Sequence, residues 1–290
     1  MFASHYRVAN VLLIVPILLI STLMGVAGAQ GIPQLPTQSG SFIPPAFNGG
    51  GSASPQSFLS LGNLGAGCGD SGLVPSLGIF RAGYNYNSYL QGGIKFSELR
   101  LMYTLPLLLD NGDAVRPYVL AYITNLNDSA QAFGLADVLL RFGGSWRTRL
   151  RDGLWLGAQG EYDATRRLGT WYSGGQAAIE MFQCVGRDTA SLRVTYYAES
   201  AGNQLIFTKS PTGYEVALWY AHDLFACGPR LMLTGSGYDF NTGGSGDQRG
   251  WNLGANLWMA GGLFSLNGSV GHDSVISDNY TLGASCTLAF

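Results

Sequence analysis

The last twelve residues of the chain alternate without a break. Tyr280, Leu282, Ala284, Cys286, Leu288 and Phe290 occupy the even positions, and Asn279, Thr281, Gly283, Ser285, Thr287 and Ala289 the odd ones. Successive side chains of a β-strand point to opposite faces, so this stretch presents one apolar face and one small, polar face. A helical period of about 3.6 would mix the two sets. The split recurs at 154–163, where Leu154, Leu156, Ala158 and Tyr162 share one face and Trp155, Gln159, Glu161 and Asp163 the other. It recurs again at 190–199, with Leu192, Val194 and Tyr196 set against Arg193, Thr195, Tyr197 and Glu199.

Twelve such segments run through residues 77–290: 77–88, 93–108, 115–125, 135–148, 153–165, 171–183, 190–199, 213–223, 230–241, 249–260, 263–272 and 278–290. Turn chemistry separates them, as in Asp110-Asn111-Gly112-Asp113, Arg151-Asp152-Gly153 and Gly261-Gly262. A soluble sandwich also alternates, but its strands average about five or six residues. These segments are longer, and their connections alternate between short turns and longer polar loops such as 125–135, 200–212 and 241–248. Charged residues make up 12% of the chain, against about a quarter in an ordinary soluble domain. One face of these strands therefore looks toward something other than water. A formal net charge of −2, with two lysines (Lys95 and Lys209), excludes the clustered basic surface that nucleic-acid binding needs.

The first 29 residues read as a secretory signal peptide. Arg7 precedes an apolar run from Val11 to Met24, and Ala27-Gly28-Ala29 supplies a small-residue cleavage pattern. Residues 30–76 form a tail rich in proline (Pro33, Pro36, Pro44, Pro45, Pro55) and glycine, a composition that buries no core of its own. The tail is expected to be a flexible linker or a partial plug, and a surface through which a periplasmic partner could bind. Beyond the leader, no run of about 18 apolar residues marks a membrane-spanning helix.

Together, the export signal, the amphipathic segments of about ten residues, their even number and the terminal Phe290 resemble a Gram-negative outer-membrane β-barrel. The resemblance covers residues 77–290 and is to the class, with no family specified. It implies an all-β, transmembrane, antiparallel up-and-down barrel of about twelve strands, surrounded by outer-membrane lipid, with the start of its first strand and the end of its last both on the periplasmic side. It further implies that Tyr280, Leu282, Leu288 and Phe290 act as a signal to the barrel-assembly machinery.

Taking the polar parity as inward predicts a lumen lined by Arg81, Glu98, Arg100, Asp137, Arg141, Glu161, Asp163, Glu180, Arg193, Glu199 and Glu215. Seven acids against four arginines would favour cations if the lumen is water-filled. The same residues could instead pair across a narrow barrel and close it. Trp146, Trp155, Trp171, Tyr84, Tyr86, Tyr172 and Tyr280, near segment ends, are expected to form interfacial girdles.

Evidence for catalysis is thin. His272-Asp273-Ser274 with Asn279 is similar to the His-x-Ser plus Asn arrangement of the outer-membrane phospholipase, but Val275-Ile276 departs from that family's Asn-Gly. No catalytic residue is assigned. Cofactor-binding motifs and metal-ligand spacings are likewise lacking. Cys184 and Cys227, in turns after the sixth and eighth segments, are expected to pair as a disulfide, with Cys68 the competing partner. The functional expectation is a pore for small solutes or the outer-membrane component of an export or surface assembly. The alternatives are a closed structural or adhesin-type barrel like those of intimin and invasin, and a lipid-modifying barrel enzyme.

Overall fold

The computed structural model describes residues 79–89, 93–105, 107–109, 113–132, 135–199, 212–225, 229–241, 247–259, 264–274 and 277–289. The leader, the tail, Cys68, Cys227, Phe290 and the side chains of Glu199 and Leu288 lie outside the described set.

The alternating segments form β1 (Ile79–Tyr89), β2 (Lys95–Thr104, continued by Leu107–Leu108), β3 (Ala114–Leu126), β4 (Ala136–Arg151), β5 (Leu154–Arg167) and β6 (Thr170–Val185). The second half supplies β7 (Asp188–Glu199), β8 (Thr212–Asp223), β9 (Arg230–Asn241), β10 (Asp247–Met259), β11 (Phe264–Asp273) and β12 (Ser277–Ala289). Each strand pairs antiparallel with its neighbours in sequence. β1 pairs with β2 on one side and β12 on the other, with Ile79 opposite Ala289, so the sheet closes on itself. The fold is a closed antiparallel barrel of twelve strands, and closure leaves no edge with unpaired backbone groups.

One end of the barrel carries the connections 105–113, 152–153, 186–187, 224–229 and 260–263, together with Ile79 and Ala289. The other carries 90–94, 127–135, 168–169, 200–211, 242–246 and 274–276. The 127–135 connection contains one short helix, α1 (Asp128–Ala132), whose entry is capped by Asn127 through Oδ1 accepting from the backbone N–H of Ala130 at 3.0 Å. The two ends are called the loop end and the turn end below.

The outer wall is apolar. Leu99, Ile179, Leu192, Val194, Val216, Leu218, Leu233, Leu253, Leu266, Val270 and Leu282 all lie exposed on it. Toward the loop end they give way to exposed aromatics: Tyr86, Tyr162, Trp171, Tyr196, Tyr214, Trp251 and Tyr280. An aromatic row bordering an aliphatic band is the surface of a barrel that spans a bilayer. Two residues expected in this girdle are elsewhere: Trp155 and Tyr172 are buried inside the barrel. Both stand near strand ends, but their parity is that of the inner wall, and parity decides the face.

Inside, several large rings lie directly opposite glycines of the adjacent strand. Tyr118 faces Gly143, Tyr238 faces Gly250 and Phe240 faces Gly213. A Cβ on any of these glycines would run into the partner ring. The missing side chain lets the ring lie along the wall instead of projecting across the lumen.

Candidate functional site: the barrel lumen

The inner wall is lined with charge. Arg81, Glu98, Arg141, Asp163, Glu180, Arg193 and Glu215 are buried inside the barrel, Glu161 has its carboxylate fully enclosed, and Arg100 is half-buried beside Glu98. These are the inward places expected from parity. Asp137 is a correction. A bulge between Ala136 and Val138 breaks the alternation and puts Ala136 in the inward row. Asp137 instead meets Arg166 on a half-exposed site at the loop end, with a shortest contact of 2.7 Å.

The charge balance is a second correction. Arg116 and Arg167 are also buried inside, and Arg147 points inward, its guanidinium 4.9 Å from the Trp155 ring centroid. Asp273 joins the inner acids. With Asp137 removed, the described inner wall carries about as many arginines as carboxylates and has no cation-favouring excess. The two signs are unevenly placed along the axis. Arg81, Arg116, Arg147 and Arg193 stand toward the turn end with Glu180, while Glu98, Glu161, Asp163, Glu215 and Asp273 stand toward the loop end with Arg141 and Arg167, and Arg100 lies between the two groups.

These groups are tied into networks. Arg141 donates to Asp163 through Nε at 2.6 Å and Nη2 at 3.0 Å, and its Nε lies 2.8 Å from Glu161. Glu161 also accepts from Tyr118, Gln159 and Gln176. Arg100 pairs with Glu98 at 2.5 Å and lies over the Tyr122 ring. Glu180 accepts from Ser191 at 2.5 Å and from the Trp219 indole at 3.0 Å, Glu215 from Tyr197 at 2.9 Å, and Asp273 from Tyr238 at 2.5 Å. Tyr118, Tyr122, Tyr238 and Asp273 were not anticipated as part of this lining. Their parity was readable, but only the strand register brings them to their partners.

At the turn end Trp155, Phe182, Cys184, Trp219, Ala221 and Met232 form an apolar collar inside the wall. Cys184 is disulfide-bonded and Cys286 is free. The chain has four cysteines, so the partner of Cys184 is Cys68 or Cys227. Both lie outside the described residues.

The phospholipase-like residues do not assemble. His272 lies on the outer face and contacts Asp278 at 2.7 Å, while Asn279 is buried on the inner face. Ser274 Oγ accepts from the backbone N–H of Arg249 at 3.0 Å. A nucleophile, base and orienting group must touch in sequence, and here they are on opposite sides of the sheet. Among the described residues no cluster of three or more His, Cys, Asp or Glu could hold a metal ion.

Neither a protein-family model nor a characterised protein matches this sequence. Solved structures do match in fold. An outer-membrane channel from Pseudomonas putida F1 superposes with a TM-score of 0.53 at 15% identity, covering 76% of this chain and 100% of the channel. The KdgM porin gives a TM-score of 0.44 at 10% identity, over 71% of this chain and 98% of the porin. LpxR from Salmonella typhimurium gives 0.44 at 8% identity, over 72% of this chain and 100% of LpxR. Identities this low establish the fold alone, which is that of outer-membrane β-barrels.

Proposed function

We propose that the chain is a narrow pore of the Gram-negative outer membrane that passes small polar solutes. The observation that carries this reading is the opposition of its two walls: a continuous aliphatic and aromatic exterior encloses an interior of arginines, carboxylates, asparagines and hydroxyls. Such an exterior requires lipid. An interior lined by polar groups of both signs suits hydrated solutes rather than lipid. The fold likeness to the Pseudomonas channel supports the same reading. In this account the alternating C-terminal residues ending in Phe290 deliver the chain to the assembly machinery. Residues 30–76 are available to a periplasmic partner, which would make the pore one part of an export or surface assembly.

A closed scaffold is the second reading, favoured by the enclosed Arg141–Glu161–Asp163 group and by the rings packed against the inner wall. Twelve strands fall between barrels of about eight strands, which side chains fill, and those of sixteen or more, which leave a water channel. Liposome swelling separates the two. Vesicles carrying the refolded protein should swell in small sugars such as arabinose and stop swelling as the sugar grows. A swelling rate equal to that of protein-free vesicles for every solute would favour the scaffold.

A further inference from the structure

Within the lumen, toward the turn end, a cavity of about 40 Å³ is bounded by side chains of β1, β2, β3 and β9 to β12. That volume holds roughly three waters. Its lining includes Arg81, Arg100, Asn256 and Trp258, and no Asp or Glu. Arg100 already has a carboxylate, Glu98, at 2.5 Å.

Arg81 has none. Its side chain is buried, at 9% exposure. Nε and Nη2 donate to Ser285 Oγ at 3.2 and 2.9 Å, and Nη2 reaches Ser265 Oγ at 3.4 Å. The guanidinium carbon stands 4.7 Å from the Trp258 ring centroid. Among the described residues its hydrogen-bond partners are two neutral hydroxyls, and Nη1 is buried without a hydrogen-bond partner. The indole Nε1 of Trp258 is a second buried donor without a partner. A charge removed from bulk water needs an opposite charge, and a buried N–H needs an acceptor.

We infer that this cavity is a binding site for a small oxyanion, the carboxylate group of an organic solute. Arg81 supplies the countercharge, and the guanidinium Nη1 and the Trp258 indole supply the two N–H donors. A planar carboxylate has two acceptor oxygens to offer them. A carboxylate group fits that volume. Asn256, whose Oδ1 is also buried without a partner, can turn its amide to present either a donor or an acceptor to the same ligand. Binding here does not require that the lumen conduct.

The test uses the full chain refolded in detergent with ¹⁵N-labelled indoles, titrated with sodium formate at constant ionic strength. The Trp258 indole resonance, assigned by its loss in Trp258→Phe, should shift saturably, while that of outward-facing Trp171 stays in place. Arg81→Gln should weaken formate about ten- to a hundredfold, the loss of one charge-assisted hydrogen bond. Arg81→Lys keeps the charge and loses the planar fork, so it should fold and bind formate about tenfold more weakly. It decides the matter if Arg81→Gln fails to fold. A Trp258 shift that does not saturate, or formate binding by folded Arg81→Lys or Arg81→Gln with the affinity of the parent chain, would overturn the assignment.

Discussion

At the scale of single residues, the lumen is built from groups whose roles depend on a partner across the wall. Arg141 is 2% exposed and holds two carboxylates, Glu161 and Asp163. Arg141→Leu would leave both acids enclosed without their cation, and breaking a buried ion pair from one side costs about 3–5 kcal/mol. The urea midpoint of the refolded barrel should fall accordingly, and restoring part of it with Asp163→Asn in the same chain would show that the stranded charge is the cause. Leu168 presents a separate cost. It sits at φ 47° beside Gly169 at φ 76° in the two-residue turn between β5 and β6. Both central residues are left-handed, as a tight hairpin with the right twist demands, and asparagine tolerates that conformation better than leucine. Leu168→Asn should stabilise the barrel by about 0.5–1 kcal/mol, read as a higher urea midpoint; a lower midpoint would show that the exposed leucine makes contacts worth more than the backbone strain. Nothing in the sequence singled out Leu168, because leucine at a left-handed position carries no signal of its own. The inward placement of Glu161 and Asp163, by contrast, was legible from parity, and only their shared arginine waited for the register.

At the scale of elements, alternation was enough to place all twelve strands, since a period of two over ten or more residues has no competing interpretation. Where the alternation slips, so did the reading. The bulge at Ala136–Val138 adds one residue that no pattern marks, and it moved Asp137 out of the lumen. Trp155 and Tyr172 were misplaced for a different reason: a ring near a strand end suits either an interface or an interior, and residue type alone does not choose. The cysteines belong to this scale too. Cys184 faces inward at the end of β6, and Thr189, its partner on β7, is paired in turn with Ala221 on β8. The 224–229 connection begins just beyond Ala221 on that strand. That adjacency favours Cys227 over Cys68. Non-reducing peptide mapping should recover Cys184 linked to Cys227, and a Cys184–Cys68 peptide would instead pin the tail to the barrel's turn end. Closing a loop of this length would stabilise the folded chain by about 3–4 kcal/mol.

At the scale of the whole molecule, one wall answers to lipid and the other to polar groups, and the pore reading follows from holding both in a single closed sheet. Low charge content and long amphipathic strands made the barrel readable; the balance of charge within it was not. Arg116, Arg147 and Arg167 also stand on the inner wall, and with them the expected cation excess disappears among the described residues. In the proposed pore, the turn-end half of the lumen, with Arg81, Arg116, Arg147 and Arg193 against Glu180, would set the sign that a permeating ion meets there. Single-channel recording in planar bilayers tests the central claim most directly. The refolded protein should give discrete conductance steps in potassium chloride, and under a salt gradient its reversal potential should show a weak preference for chloride. Well-folded, membrane-inserted protein that produces no steps at all would contradict the account.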